Sequence, residues 1–438
     1  MKTYLSLVWD SLRSSFWFVP TVMVSLVITL AFTTITLDEL EVIVIDRFSW
    51  TYTRGPEGAR AILSTIASSM MTVAVTTFSI TIVALQLASS QFGPRLLRNF
   101  MRDIGNQVVL GTFISTFIYC LLILRTIRTQ EDSEFVPHLS VTCSVLLALA
   151  SIAVLIYFID HVANSIQAEN VITDVTQDLN SAIERLFPEK IGEGESVHHP
   201  PVTQSILDDF HAHSCSIKSL KSGYIQAINQ HRLIQLAKDN DLLISIKFHP
   251  GEFIVQNSDL LWVFPDYRMT PELAKNIHKT IVFGYQRTQQ QDIKFCINQL
   301  VEIALRALSP GINDPFTAIR CIDQLSAALC HLAQKKIPSP YRYDDDNKLR
   351  VIASPVTFSE AVDSVFNPIR QYSQSMVGVT IRLLQAIAII ASHVQNQSQK
   401  DLLLHHAEMI KQGSREALSE ESDRQDIQKY YFNILEKL

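Results

Sequence analysis

The chain lacks the patterns that mark the familiar enzyme classes. No P-loop, nucleophile elbow, H-E-x-x-H pair or dinucleotide-binding glycine motif occurs in its 438 residues, so the phosphate cradles, activated serines and zinc-protease helices those motifs encode are not expected. Its six cysteines, Cys120, Cys143, Cys215, Cys296, Cys321 and Cys330, form no C-x-x-C pair. That removes the usual spacing of a zinc site or redox dithiol and fits buried thiols in a reducing compartment. Only 18% of the residues are charged, and the net charge of −6 carries no broad basic face, so nucleic acid is not an expected partner. Ionisable residues are also missing from the middle of the longest apolar stretches, which argues against a proton-coupled pump. No inverted repeat or pair of Pro-broken segments suggests alternating access.

What the chain has in quantity is apolar sequence, 47% of the total, with a mean hydropathy of +0.16. It is concentrated in residues 1–160. Four stretches there, 16–37, 61–88, 108–127 and 138–159, each have the roughly 20 residues needed to cross about 30 Å of hydrocarbon. The first has no small-residue cleavage site and runs into Asp38, Glu39 and Glu41, so it is expected to stay as a helix. Arg95, Arg98 and Arg102 place the loop 89–105 on the cytoplasmic side, together with the N terminus and everything after Asp160.

The second span is unusual. Thr65, Ser69, Thr72, Thr76, Ser79 and Gln86 recur at spacings of three, four or seven, which puts them on one side of a helix, and Ser68, Thr77 and Thr81 are expected to widen that side. Small hydroxyls pack helices closely in lipid and return hydrogen bonds to the backbone; the functional alternative is a wall facing water. Gly93 and Pro94 then end the helix, and Arg95, Arg98 and Arg102 share one face of a short segment. These arginines suit anionic lipid headgroups, or the cytoplasmic mouth of a pore.

Beyond the spans the sequence predicts a helical connector over 161–188, a polar linker over 189–213, a small α/β module over 214–270 and a mainly helical cytoplasmic domain over 271–438. Histidines 198, 199, 211 and 213 suggest a metal cluster, but histidines are ordinary in linkers and no metal or cofactor is assigned. In the module, GYIQAI, LLISIKF, EFIV and LLWVF read as strands, with the helix NQHRLIQLAKDN capped by Asn229 or Gln230. The strands around the HPGE turn resemble half of a lipoyl-like barrel-sandwich, without the lysine that would carry the lipoyl or biotin group. Arg287, Asp292, Glu302, Arg306, Asn313, Asp314, Arg320 and Asp323 can form a polar cluster on two helices joined at Pro310 and Gly311. Salt bridges and caps are the ordinary reading, a ligand-binding or catalytic pocket the other. Residues 341–350 are expected to be an exposed loop, 361–374 and 376–394 helices, the apolar run 386–391 a buried segment rather than a fifth span, and His405 and His406 part of a solvated face.

The segments SSQFGPRLLRNFMRDIGNQVVLGTF, SGYIQAI, HPGEFIV, RTQQQDIKFCINQLVEIALRALSPGINDPFTA and CIDQL together resemble a bacterial predicted-membrane-protein family, domain of unknown function number two-two-five-four. The resemblance covers nearly the whole chain and implies a bacterial inner-membrane setting, with no reaction, cofactor or catalytic residue to transfer. The expected fold is therefore membrane α-helical, with four transmembrane helices followed by a mixed α/β cytoplasmic domain with a small β-rich module and a helical C-terminal part. The expected function is an oligomeric channel or permeation protein, homo-oligomeric in the lipid bilayer, with a cytoplasmic vestibule or gating domain. The alternative is a membrane-tethered sensor or scaffold that binds a small molecule or protein through 284–323.

Overall fold

The computed structural model describes residues 17–40, 55–93, 103–130, 133–188, 204–394 and 396–436. It divides into two compact units, 1–170 and 171–438.

Unit one holds four helices long and apolar enough to cross a membrane: α1 (Phe18–Glu39), α2 (Pro56–Phe92), α3 (Ile104–Thr126) and α4 (His138–Ser165). The 37 residues of α2 make it about 55 Å long at 1.5 Å per residue. Each helix contains a long, predominantly apolar window, and in lipid a helix satisfies all its interior backbone groups by itself. A short antiparallel hairpin, β1 (Arg128–Gln130) with β2 (Ser133–Phe135), joins α3 to α4.

Helix α3 is central. It packs against α1, α2 and α4, and 56% of its most apolar window is buried, against 17–22% for the others. Gly111 lets α1 come close: a Cβ there would lie 2.5 Å from the Met23 Sδ and 3.2 Å from the Pro20 Cα, so a larger residue would displace the Met23 side chain and press on the α1 backbone. Hydroxyls tie the same helices together. Tyr119 meets Thr34 of α1 at 2.9 Å and donates to the Ser140 carbonyl of α4 at 3.3 Å, while Thr116 meets Ser151 of α4 at 3.2 Å.

The ends of α4 are held by two aspartates. Asp38, in the last turn of α1, accepts the backbone N–H of Leu139 at 2.9 Å and of Ser140 at 3.0 Å, and the Ser140 hydroxyl at 2.7 Å. Pro137 at the N-cap position supplies no capping side chain, so a carboxylate from another helix satisfies the orphan donors and faces the positive end of the dipole. Near the far end, His161 Nε2 bonds Asp103, which itself caps α3 through Gly105 N at 2.8 Å.

After a two-residue break, α5 (Ala168–Leu186) begins, so the amphipathic helix expected from His161 to Phe187 is two helices. At the break the Gln167 N–H donates to the Asn164 carbonyl at 3.2 Å, and the Asn170 side chain donates to the same carbonyl at 2.7 Å. Most of α5 belongs to unit two, where Leu179 and Ile183 line one narrow gap with Ile293, Ile297 and Leu325.

The rest of unit two begins with α6 (Gln204–Ala212), β3 (Cys215–Lys218), β4 (Gly223–Ile228), α7 (Gln230–Asp239), β5 (Leu243–Ile246), β6 (Phe253–Ile254), β7 (Asp259–Phe264), α8 (Pro271–His278) and β8 (Ile281–Gly284). It continues with α9 (Ile293–Ala307), α10 (Pro315–Ala333), β9 (Tyr341–Tyr343), β10 (Leu349–Ala353), α11 (Phe358–Ser373), α12 (Val377–Ala391), α13 (Gln397–Ala417) and α14 (Glu421–Leu435). The strands form two sheets, β3-β7-β5-β10-β9 and β6-β4-β8. Only β5 and β10 pair in parallel in the larger one. Alternating residues such as Ile225, Ile244, Leu261 and Val263 face one core with Leu233 of α7 and Ile277 of α8. The cap of α7 is Asn229, which accepts from Arg232 N at 3.1 Å.

Three expectations change. The strands flanking HPGE do not form half a barrel-sandwich: β5 pairs with β7 and β10, whereas β6 pairs with β4, so the chain changes sheets at that turn. Residues 341–350 are a hairpin rather than an exposed loop. There the buried Asp344 carboxylate accepts the Asp346 and Lys348 N–H groups at 2.9 Å each, and Asn347 takes the left-handed conformation that a tight turn needs. His406 is fully buried rather than solvated, because it shares one face of α13 with Leu403 and Ile410; its Nε2 meets Asp363 at 2.9 Å. The apolar run 386–391 is packed in α12 against α10, α11, α13 and α14, as expected of a buried segment.

Replacing Asp38 with Ala is expected to lower stability by about 1–2 kcal/mol, with Asp38→Asn losing less, in thermal melts of the detergent-solubilised chain. Burial holds His406 below the ordinary imidazole range, ahead of the opposing pull of Asp363, and it does the same to His278. The unfolded chain then takes up protons at higher pH than the folded one, so stability should fall as pH drops through about 6.5 and below. His406→Gln should shrink the difference in melting temperature between pH 7.5 and 5.5.

Candidate functional site

Helix α2 presents two opposite faces. Leu63, Ala67, Met70, Ala74, Thr77 and Thr81 are buried in the bundle. At 100° per residue, Thr65, Ser69, Thr72, Thr76, Ser79 and Gln86 fall in a sector centred on the other side, and every one of them is exposed. Thr77 and Thr81 therefore do not widen the stripe, since they share the phase of Met70 and Ala74; Ser68 alone of that set adjoins it. The stripe is flanked by exposed apolar residues, among them Met71, Val75, Phe78 and Ile82.

Four hydroxyl protons of the stripe point inward. Thr65 donates to the Ala61 carbonyl at 2.7 Å, Thr72 to Ser68 at 3.0 Å, Thr76 to Thr72 at 2.9 Å and Ser79 to Val75 at 2.9 Å. With these four protons committed to the helix, Thr65, Thr72, Thr76 and Ser79 present uncharged oxygen lone pairs outward, able to accept from water or to approach a cation, and the Gln86 amide adds a donor as well as an acceptor.

The helix stops at Gly93, whose φ of +112° only glycine adopts readily. Arg95, Arg98 and Arg102 lie outside the described residues. Where description resumes, a polar knot closes the bundle: Asp103 bonds His161, the Tyr157 ring stacks on the imidazole at 5.3 Å, and Asn106 Nδ2 reaches Asp103 at 3.3 Å. The buried Asn106 Oδ1 has no partner among the described residues. The sequence reading missed this knot, although Asp103 directly before an apolar run is an N-cap signal.

The polar residues of 284–323 are divided among four places. Asp292, 2% exposed, accepts Arg287 Nε at 2.8 Å and Nη2 at 3.0 Å and caps α9 through Phe295 N at 3.0 Å. Glu302 and Arg306 lie 3.7 Å apart along α9. Asp314 caps α10 through Thr317 N at 3.1 Å, beside Asn313 in the left-handed region with φ +50°. Asp323, further down α10, pairs with Arg382 of α12, and Arg320 is exposed.

At Asp292 the stretches SGYIQAI, HPGEFIV and RTQQQD meet. Gly251 N–H donates to the Ile225 carbonyl at 2.7 Å, Ile225 N–H to the Glu252 carbonyl at 3.0 Å, and the Gln291 amide takes both backbone groups of Ile228. Gly251 has φ +96°, and a Cβ on it would lie 1.9 Å from Asp292 Oδ2. The junction is a brace in which a glycine turn seats a buried ion pair. Among the described residues no group of three or more His, Cys, Asp or Glu could hold a metal ion; His198 and His199 lie outside them.

A cavity of about 640 Å³ lies elsewhere, at one end of the five-stranded sheet. Its floor is a chain of ion pairs. Arg268 Nη1 reaches Asp241 Oδ2 at 2.6 Å, Arg350 Nη1 reaches Asp241 Oδ1 at 2.8 Å, and Arg350 Nε reaches the buried Asp344 at 2.7 Å. The hydrogen bonds from Arg268 and Arg350 hold Asp241 down to about 2. Phe264, Tyr267 and Tyr343 supply aromatic wall. No local pattern announces this site, because its charged residues come from positions 241, 268 and 350.

A family model described as a predicted membrane protein, DUF2254, matches residues 13–388. An uncharacterized protein of Mycobacterium bovis and one of Mycobacterium tuberculosis strain H37Rv are each 32% identical over 378 residues, covering 84% of this chain and 70% of theirs. A third, from M. tuberculosis strain CDC 1551, is 31% identical over the same span. No solved structure matches.

Gly251→Ala should lower stability by about 2–4 kcal/mol, since it combines left-handed strain with displacement of a buried carboxylate. The loss should exceed that of Asp292→Asn in the same thermal melts.

Proposed function

Because the chain belongs to the DUF2254 family of predicted membrane proteins, we propose that it is an oligomeric membrane permeation protein, with α2 helices from several copies around a shared aqueous path. The observation that carries this reading is the pair of opposite faces on α2. One is packed inside the protomer, and the other exposes Thr65, Ser69, Thr72, Thr76, Ser79 and Gln86. Lipid tails offer nothing to a row of outward lone pairs, whereas water or a partially dehydrated cation does.

The stripe repeats at four and three residues, the period that lets helices wrap around one another with a constant seam facing the axis. Arg95, Arg98 and Arg102 would stand at the cytoplasmic end of that path, where they would contact anionic headgroups or the mouth. In this reading the bilayer is the bacterial inner membrane, both termini are cytoplasmic, and residues 171–438 serve as vestibule or gate. Support over a binder acting through 284–323 comes from the charges of that stretch, which are divided among local pairs and caps.

The test is ion flux into liposomes that contain the purified protein, combined with thiol accessibility. Thr72→Cys and Thr76→Cys should react with a membrane-impermeant thiol reagent faster than wild type and lose at least about tenfold in flux once modified, while Val75→Cys, on the flank, should be insensitive. No flux under any ion gradient or tension, together with unreactive stripe cysteines, would overturn the proposal.

A further inference from the structure

The cavity at the end of the five-stranded sheet has the composition of a ligand site. Its volume of about 640 Å³ falls within the usual range for small-molecule pockets, roughly 300–1,000 Å³. Two guanidinium groups converge in its wall on the single carboxylate of Asp241. Neither is used up by that contact. Arg268 reaches Asp241 through Nη1 alone. Arg350 bonds through Nε and Nη1, and its Nη2 has no acceptor among the described residues.

Guanidinium forks held in place by carboxylates are suited to phosphate oxygens, because their orientation is fixed before the ligand arrives. Lys348 at the rim adds an exposed ammonium, and Asp266 and Asn347 add acceptors and donors for hydroxyl or amino groups. Tyr267 lies beside this grip, 77% exposed and carrying the Arg268 guanidinium over one part of its ring at 5.6 Å, and Tyr343 adds a second aromatic ring to the lining. An oxyanion grip beside a face for a flat ring describes one chemical class.

We propose that this cavity binds a nucleotide, with its phosphate on Arg268, Arg350 and Lys348 and its base against Tyr267 and Tyr343. Asp241 and Asp344 act as positioning residues: they fix the two arginines and do not themselves contact the phosphate. The hairpin between β9 and β10 contributes Tyr343, Lys348 and Arg350 from one short stretch, so a bound nucleotide would tie that hairpin to the end of β7. The site is independent of whether the chain conducts.

Thermal-shift and calorimetric titration of the full-length protein in detergent would use AMP and GMP, their nucleosides, and inorganic phosphate. The expected result is saturable stabilisation by a nucleotide, nucleoside binding at least about tenfold weaker, and competition by phosphate. Arg268→Gln should weaken binding at least about tenfold while the unliganded melt stays near wild type. Should Arg268→Gln fail to fold, the exposed Lys348→Gln should show a smaller loss. Nucleosides binding as tightly as nucleotides, no saturable binding by either nucleotide, or undiminished binding in a folded Arg268→Gln or Lys348→Gln protein would overturn the proposal.

Discussion

The membrane unit depends on how α4 is held. Its first turn has no capping side chain of its own, and in a bilayer unsatisfied N–H groups are penalised more heavily than in water. Asp38 supplies the missing acceptors from α1, so two helices that are neighbours in space but distant in sequence share one electrostatic contact. At the other end Asp103 caps α3 and binds His161 of α4. Tyr119, Thr116 and Gly111 join α1, α3 and α4 between those ends, while α1 also carries exposed hydroxyls, Thr21, Ser25, Thr29, Thr33 and Thr36, that bond back to their own helix. Helix α2 gives one face, with Thr77 and Thr81, to its neighbours and keeps the hydroxyls of its opposite face outside.

Much of the architecture was legible because apolar length and period are local properties. The four membrane helices, the strands GYIQAI and LLWVF, the Asn229 cap and the burial of 386–391 all follow from hydrophobic run length, alternation or capping chemistry within one continuous stretch of chain. Asp38 was readable only as a charge ending a span, since its partners lie about a hundred positions away. The hairpin at 341–350 was hidden by its own composition: three consecutive aspartates suggest a solvated loop, but Asp344 is buried because Arg350 and two backbone N–H groups surround it. His406 illustrates the same limit, since a histidine pair reads as polar until the phase of α13 turns one of them into the core.

The candidate sites divide along the same line. The stripe on α2 was visible from spacing alone, yet its relation to the packed face needed the bundle, which moved Thr77 and Thr81 to the inside. The polar residues of 284–323 looked like one cluster because they are close in sequence, and helix geometry separates them: Arg287 and Asp292 precede α9, Asp314 opens α10, and Asp323 turns toward α12. The cavity that does gather charge draws on three distant segments, which no local window can join. Motifs near one another in the chain thus became structural braces, and the arginines that share a pocket were far apart.

The length of α2 has a mechanical consequence. At about 55 Å it exceeds a hydrocarbon layer of about 30 Å, and a tilt of even about 40° would still leave it about 12 Å too long. At least one end must therefore stand among headgroups or in water, and the thickness of the surrounding bilayer decides how many of its hydroxyl-bearing turns are immersed. A thinner membrane would uncover more of the helix and a thicker one would draw it in, making the span a gauge of the lipid around it.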